Sequence, residues 1–422
     1  MSASDRILAT YWIETPLPLE QAAQALVGEQ STGTFVRVPG ETEELRERFG
    51  ARLERLKPLE EVDRPSLPGA RAPSGGAPRY RRAELVLSFP LENVGTNLPT
   101  LLATVAGNLF ELREFSGLRL LDLEFPPALV MAQPGPQFGV EGTRRLAAVE
   151  GRPIIGTIVK PSIGLTPGQT AGLARQLAEA GIDFIKDDEL MANPPHSPLA
   201  QRVEAVLEAL HAAADRTGRK VMYAFNISDD VEGMKRHHDL VRHHGGTCVM
   251  VSLNHVGLAG VRELRRMSEL PIHGHRNGWG MWTRCPALGM EFTPYQKIWR
   301  LAGVDQLHVN GLANKFWEPD ESVVRSLQAC LAPLGGVRPV MPVVSSGQWG
   351  GQAPETYRRC PTVDLLYLAG GGILAHPGGP SAGCRALRQA WEAAVAGVPL
   401  EQYAQEHPEL RQSLTTFGGI RH

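Results

Sequence analysis

Eight short apolar runs recur after residue 150, each closed by a polar or glycine-rich stretch and followed by a helical pattern. They are IIGTIVK (154–160), IDFIK (182–186), VMYAF (221–225), CVMVSL (248–253), PIHGH (271–275), DQLHV (305–309), VMPVV (340–344) and DLLYL (364–368). Their ends lie 22 to 39 residues apart. Strand–helix units of this size imply parallel strands joined by right-handed crossovers. Eight of them over roughly 250 residues fit a (β/α)8 barrel of TIM type. A doubly wound open sheet is the runner-up, but no GxGxxG fingerprint opens the series.

The stretch before the barrel has a different rhythm. Patterns predict a strand at 7–14, a helix at 18–30, a strand at 33–38 and a charged helix at 42–56. Residues 64–82, rich in Pro, Gly and Arg, read as a loop. AELVLSFP, LPTLLATVAGNLF and LRLLDLEFP complete a small α+β unit of ferredoxin-like type. The expected division is therefore an N-terminal α+β domain over 1–130 and a barrel with C-terminal helices over 131–422. A chain of 422 residues is long for one core, which agrees with two domains.

Composition narrows the function. With 43 basic against 45 acidic residues, nothing favours nucleic acid or an anionic membrane as partner. No segment approaches the roughly 18 apolar residues needed to span a bilayer. Five scattered cysteines show neither a CxxC zinc pattern nor a disulfide framework, and the first residues do not read as a signal peptide. The expected location is the cytoplasm.

The chemistry concentrates in GIDFIKDDE (181–189). Phe184 and Lys186 share one strand face, and Glu189 joins them only if the chain turns. Asp188 and Glu189 offer hard oxygen donors suited to Mg²⁺, which Lys186 would ordinarily repel. Uptake of CO2 by Lys186 as a carbamate removes the conflict and adds a third anionic oxygen. A surface salt-bridge cluster closing the strand is the alternative. Other polar groups stand at the ends of the runs: Lys160, Asn226, Asn254, His275–Arg276, His308, Ser345–Ser346 and Gly370–Gly372. TIM barrels build active sites at these ends, and glycine turns after the last strands bind phosphate through backbone N–H groups. Each could also be a structural cap or turn when taken alone.

These residues closely resemble the RuBisCO large subunit and the RuBisCO-like proteins. VGEQSTGTF (27–35) is similar to the family's N-terminal active-site segment and implicates Glu29 and Thr34. AGNLF contributes Asn108, IVKPSIGL Lys160, HGHR His275 and Arg276, and LHVNGLANKF His308 and the mobile-loop Lys315. VVSSG and AGGGILAHP contribute Ser345, Gly370 and Gly371. The resemblance implies Mg²⁺ held by carbamylated Lys186, Asp188 and Glu189. It also implies catalytic roles for Lys160, Lys186 and Lys315, with the remaining residues binding substrate. It further implies a homodimer in which active sites are shared between an N-terminal domain and its partner's barrel.

The departures redirect the reaction. Carboxylases have KPKLG where this chain has KPSIG, so Ser162 replaces a lysine. The Lys315 loop differs, and Trp279 stands where carboxylases carry a histidine. The chain is thus expected to be a RuBisCO-like protein that does not fix CO2. The leading expectation is a Mg²⁺-dependent decarboxylase of a phosphorylated 3-oxo sugar acid, of the 3-oxo-isoapionate 4-phosphate kind, working through an enediolate. A transcarboxylase/hydrolase on that substrate, an enolase or isomerase of a diketo phosphate in methionine salvage, and a non-catalytic binding scaffold are the alternatives.

Overall fold

Runs rich in Val, Ile, Met and Phe between glycine and polar punctuation favour buried parallel strands over helices. In the computed structural model, which describes residues 5–33, 38–71 and 79–419, the first strands are β1 (Arg6–Thr15), β2 (Arg52–Val62), β3 (Tyr80–Pro90) and β4 (Gly117–Glu124). Then come β5 (Ile154–Ile158), β6 (Phe184–Lys186), β7 (Met222–Asn226), β8 (Cys248–Ser252) and β9 (Ile272–His275). The last are β10 (Leu288–Met290), β11 (Gln306–Asn310), β12 (Met341–Ser345) and β13 (Leu366–Leu368). The chain divides into two compact units: Met1–Gln133 with Gly278–Leu301 and Leu334–Val337, and Pro134–Asn277 with Ala302–Pro333 and Arg338–His422.

The first unit is a five-stranded sheet in the order β10-β4-β1-β3-β2. Its strands pair antiparallel except β10, which lies parallel to β4. Inside it, Arg119 donates to Glu291 Oε1 at 2.8 Å, to the carbonyls of Cys285 and Leu288, and to Thr283 Oγ1. The expected helix over 42–56 is corrected. A helix occupies only Glu43–Phe49, Gly50 follows in extended geometry, and residues 52–56 pair in β2 with β3. Arg, Glu and Leu are good helix formers, so propensity pointed the wrong way, and the ladder with β3 decided the outcome. The expected loop over 64–82 also ends early, because β3 starts at Tyr80. The expected strand at 33–38 lies mostly outside the described residues.

The second unit is a closed barrel in which β5 to β9 are followed by β11, β12, β13 and β5 again, all parallel. Its interior is filled by Ile154, Phe184, Met222, Ala224, Cys248, Met250, Met341, Val343, Leu366 and Leu368. Helix Gly139–Ala147 packs against this layer through Val140 and Ala147. Side chains alternate along a strand, so Lys186, two residues after Phe184, points into the barrel beyond that core. No helix among the described residues is long and apolar enough to cross a membrane.

Candidate active site

β6 ends at Lys186, and the chain turns at once: Asp188 Oδ1 accepts from the Leu190 N–H, and its carbonyl accepts from the Met191 N–H. This turn brings Glu189 back, with its Oε2 3.7 Å from Lys186 Nζ and 3.5 Å from His275 Nε2. Asn226, at the end of β7, fixes the turn by donating from Nδ2 to the carbonyls of Asp188 (3.2 Å) and Glu189 (3.1 Å). From the end of β5, Lys160 Nζ reaches Asp188 Oδ2 at 2.6 Å and Ser162 Oγ at 2.8 Å. Lys160, Lys186, Asp188, Glu189 and His275 are therefore one cluster. Lys186 and Asp188 are 1% exposed, which removes the surface salt-bridge reading.

Burial lowers the pKa of Lys186, while Glu189, Asp188 and Asp187 oppose the shift through their charge. Burial also works against ionisation of Glu189, but His275 and Lys186 outweigh it and hold that carboxyl well below its ordinary range. Asp187 points to the other face of β6 and belongs to a different set. It accepts from Arg202 Nε (3.3 Å) and Nη2 (3.2 Å), the Tyr223 hydroxyl (2.7 Å) and the Asn226 N–H (3.0 Å). Arg202 and Asp187 are both buried, and removing one partner of such a pair leaves the other uncompensated. Asp187→Ala should therefore destabilise the fold by about 3–5 kcal/mol, read as a loss in urea denaturation. Neighbouring Asp188→Ala should cost much less stability.

A second set adjoins the first through the rings of His275 and His308, whose centres are 4.3 Å apart. His308 Nδ1 meets Ser345 Oγ at 3.1 Å, and its Nε2 meets His273 Nε2 at 2.8 Å. His273 Nδ1 lies 2.7 Å from Gln306 Oε1. Burial pushes both histidines well below their ordinary pKa, so both are neutral. Gln306 Nε2 faces Thr143 Oγ1, leaving Gln306 Oε1 as acceptor. The protons are then fixed in one direction: Ser345 donates to His308, His308 Nε2 to His273, and His273 Nδ1 to Gln306.

Arg276 closes this side, donating from Nη2 to Glu318 Oε2 at 2.7 Å. Glu318 Oε2 also accepts from Asn310 Nδ2 (2.6 Å) and Glu318 Oε1 from Ser322 Oγ (2.7 Å). Sequence reasoning singled out neither Glu318 nor His273. Arg276 is a buried charge that requires a counter-charge, and its burial is apparent only in the folded barrel.

The loop carrying Lys315 leaves β11 and is pinned by the Lys315 N–H on the Ser346 carbonyl (3.3 Å). Ala313 and Ser346 both adopt positive φ, 44° and 76°, a costly backbone state for non-glycine residues that concentrates at functional sites. Lys315 is exposed, its Nζ lying over the Phe316 ring at 5.2 Å and not within the lysine–carboxylate cluster.

After β13, Gly370 precedes the short helix Gly371–Leu374. Neither Gly370 nor Gly371 has positive φ, and a Cβ on Gly371 would meet nothing within 4 Å. A Cβ on Gly372, by contrast, would lie 2.6 Å from the Gln348 carbonyl oxygen. Gly372 is thus required by packing, whereas Gly371 faces open space and a Cβ on Gly370 would only touch Ile158 Cδ1 at 4.0 Å. Glu29 and Asn108 are exposed residues of the first unit, and Thr34 lies outside the described residues.

Among the described residues, no three His, Cys, Asp or Glu side chains converge as a metal-binding group. The donor chemistry fits Mg²⁺ only if Lys186 contributes an anionic oxygen, since each carboxylate of the pair now faces a lysine.

Residues 139–417 match the family described as ribulose bisphosphate carboxylase large chain, catalytic domain, and residues 77–129 match that chain's N-terminal domain. A 3-oxo-isoapionate-4-phosphate transcarboxylase/hydrolase from Xanthobacter autotrophicus is 56% identical, covering 97% of this chain and 99% of its own. A 3-oxo-isoapionate-4-phosphate decarboxylase from Rhizobium etli is 51% identical, covering 97% and 98%. The crystal structure of a rubisco-like protein from Burkholderia fungorum superposes with a TM-score of 0.92 at 49% identity, covering 98% of this chain and 100% of that one. The barrel, the residues at its strand ends and these matches agree: the chain belongs to the RuBisCO large-chain family, among its RuBisCO-like proteins.

Proposed function

We propose that this protein decarboxylates a phosphorylated 3-oxo sugar acid of the 3-oxo-isoapionate 4-phosphate kind. The observation that carries the reading is the Lys160 amine, held 2.6 Å from Asp188 at the edge of a buried lysine–carboxylate cluster. The contact supports a role for Lys160 as proton donor to an enediolate bound at that cluster. Relatives at 51% and 56% identity, named for this substrate, support the choice of sugar acid.

In this reading, the bond between the substrate's carboxylate and its adjacent carbon breaks. CO2 departs, and the electron pair passes into the 3-oxo group as an enediolate. Lys160 then delivers a proton to the carbon that lost CO2. Carbamylated Lys186, Asp188 and Glu189 would hold Mg²⁺, which when bound supplies a Lewis acid for the developing negative charge. Asn226 keeps the acid pair in place by gripping its backbone. His308 would orient the Ser345 hydroxyl, whose oxygen can still accept from the substrate, and the backbone N–H groups at Gly370 and Gly371, with Thr34, would receive the phosphate. Glu29 and Asn108 are assigned substrate contacts and Lys315 a catalytic role, in a homodimer with shared sites. An exposed apolar patch on the first unit, Met281, Trp282 and Leu288, supports association. The absence of a disulfide among the five cysteines accords with a reducing cytoplasm.

The test follows CO2 release from 3-oxo-isoapionate 4-phosphate in D2O. The expected product carries one deuterium at the carbon that lost CO2. The transcarboxylase/hydrolase named at 56% identity is the close rival. In that case the carboxyl carbon would be transferred to another carbon and recovered in an acid product of hydrolysis, with no free CO2. Enolisation of a diketo phosphate, with no CO2 from any 3-oxo acid tried, would replace the proposal with the methionine-salvage reaction.

A further inference from the structure

Arg276 follows β9 directly, and its guanidinium is buried beside His308 and the end of β11. A buried cation in an enzyme that bound a second phosphate here would leave its donors for that phosphate. In this chain Glu318 has taken the position: its Oε2 lies 2.7 Å from Arg276 Nη2 and 2.6 Å from Asn310 Nδ2. Asn310 Oδ1 in turn accepts from Ser346 Oγ at 2.8 Å, beside Ser345. Two donors that would serve an anion at this end of the barrel are thus committed to a carboxylate of the chain itself. Glu318 is also fixed, because its carbonyl accepts from Asn314 Nδ2 at 3.0 Å and its Oε1 from Ser322 Oγ at 2.7 Å.

We propose that Glu318 is a specificity residue, a built-in counter-ion to Arg276 that excludes a second phosphate and reserves this end of the site for a neutral hydroxyl or carbonyl. The proposal rests on the sugar-acid reading above and narrows it to monophosphates. A dianionic phosphate arriving at Arg276 would stand against Glu318, and like charges brought together at a binding surface discriminate strongly against the wrong partner. The phosphate of a monophosphate would use the glycine turn after β13 and never meet Glu318.

Binding of ribulose 5-phosphate and ribulose 1,5-bisphosphate, measured by calorimetry on the full chain with Mg²⁺ and bicarbonate, tests this without turnover. Wild type should bind the bisphosphate no more tightly than the monophosphate. Glu318→Gln, which keeps the shape and loses the charge, should tighten the bisphosphate by at least about tenfold and leave the monophosphate nearly unchanged. An equal change in both, or none in either, overturns the proposal. Should Glu318→Gln fail to fold, the wild-type ratio decides alone: a tenfold preference for the bisphosphate overturns the proposal, and parity supports it. A bisphosphate preference together with CO2 release from the sugar acid would sink Glu318 and leave the decarboxylase standing. No binding of either sugar phosphate, together with no CO2 release from the sugar acid, would sink both.

Discussion

Lys186→Met is expected to lower CO2 release from 3-oxo-isoapionate 4-phosphate by roughly 10³-fold or more. A Lewis acid contributes several kcal/mol to stabilising developing charge, and each 1.4 kcal/mol is a decade in rate. The residue matters because of where β6 ends. Phe184 packs in the barrel core, and Lys186, two residues on, enters the same interior and is 1% exposed. Burial lowers its pKa, and the free amine is the form that adds to CO2. The resulting carbamate would add a third anionic oxygen donor to those of Asp188 and Glu189, which now face lysines. Wild type should then lose activity in CO2-stripped buffer or EDTA and regain it with bicarbonate and Mg²⁺, whereas Lys186→Met should respond to neither. A carbon-13 carbamate resonance from labelled bicarbonate should appear in wild type and vanish in the variant. Full wild-type rate without CO2 would end the carbamate assignment, and full rate in EDTA would end the metal assignment as well. Methionine preserves side-chain bulk, so the urea midpoint should move little.

The sequence shows most about the parts of the fold built from local patterns. Each barrel strand is buried on both faces, so each appears as a continuous apolar run, and the eight runs became β5 to β9 and β11 to β13. Lys160 stands just past β5, at the expected run end, while strand period leaves Glu189 beside Lys186 only if the chain turns, which it does. What escaped was non-local or weakly patterned. β2 is a charged edge strand with a mostly exposed face, so it lacks hydrophobic alternation and resembles a helix in composition. β10 spans only three residues and exists through its pairing with β4. The Arg276–Glu318 contact joins residues 42 apart, and the His273–His308 contact residues 35 apart. Such pairings depend on strand adjacency in the closed barrel, which one sequence does not encode locally.

The other large effect concerns the proton. Lys160→Ala should slow formation of protonated product by about 10²–10⁴-fold, the range for a positioned general acid. Carbon–carbon cleavage should fall less, because the acid pair and Lys186 remain in place. The alanine variant alone is ambiguous, since it also strips Asp188, 1% exposed, of an ion-pair partner at 2.6 Å. Lys160→Arg separates the two effects. Arginine keeps a positive charge opposite Asp188, but a guanidinium does not give up its proton in proteins. If Lys160 only compensates charge, Lys160→Arg should recover most of the rate. If it donates the proton, Lys160→Arg should remain nearly as slow as Lys160→Ala while matching wild type in stability. Single-turnover experiments in D2O complete the argument: CO2 should appear before deuterated product in both variants, with the interval between them lengthened relative to wild type. Simultaneous slowing of CO2 release and product deuteration, with no interval in either variant, would remove Lys160 as the donor and leave it a charge partner of Asp188.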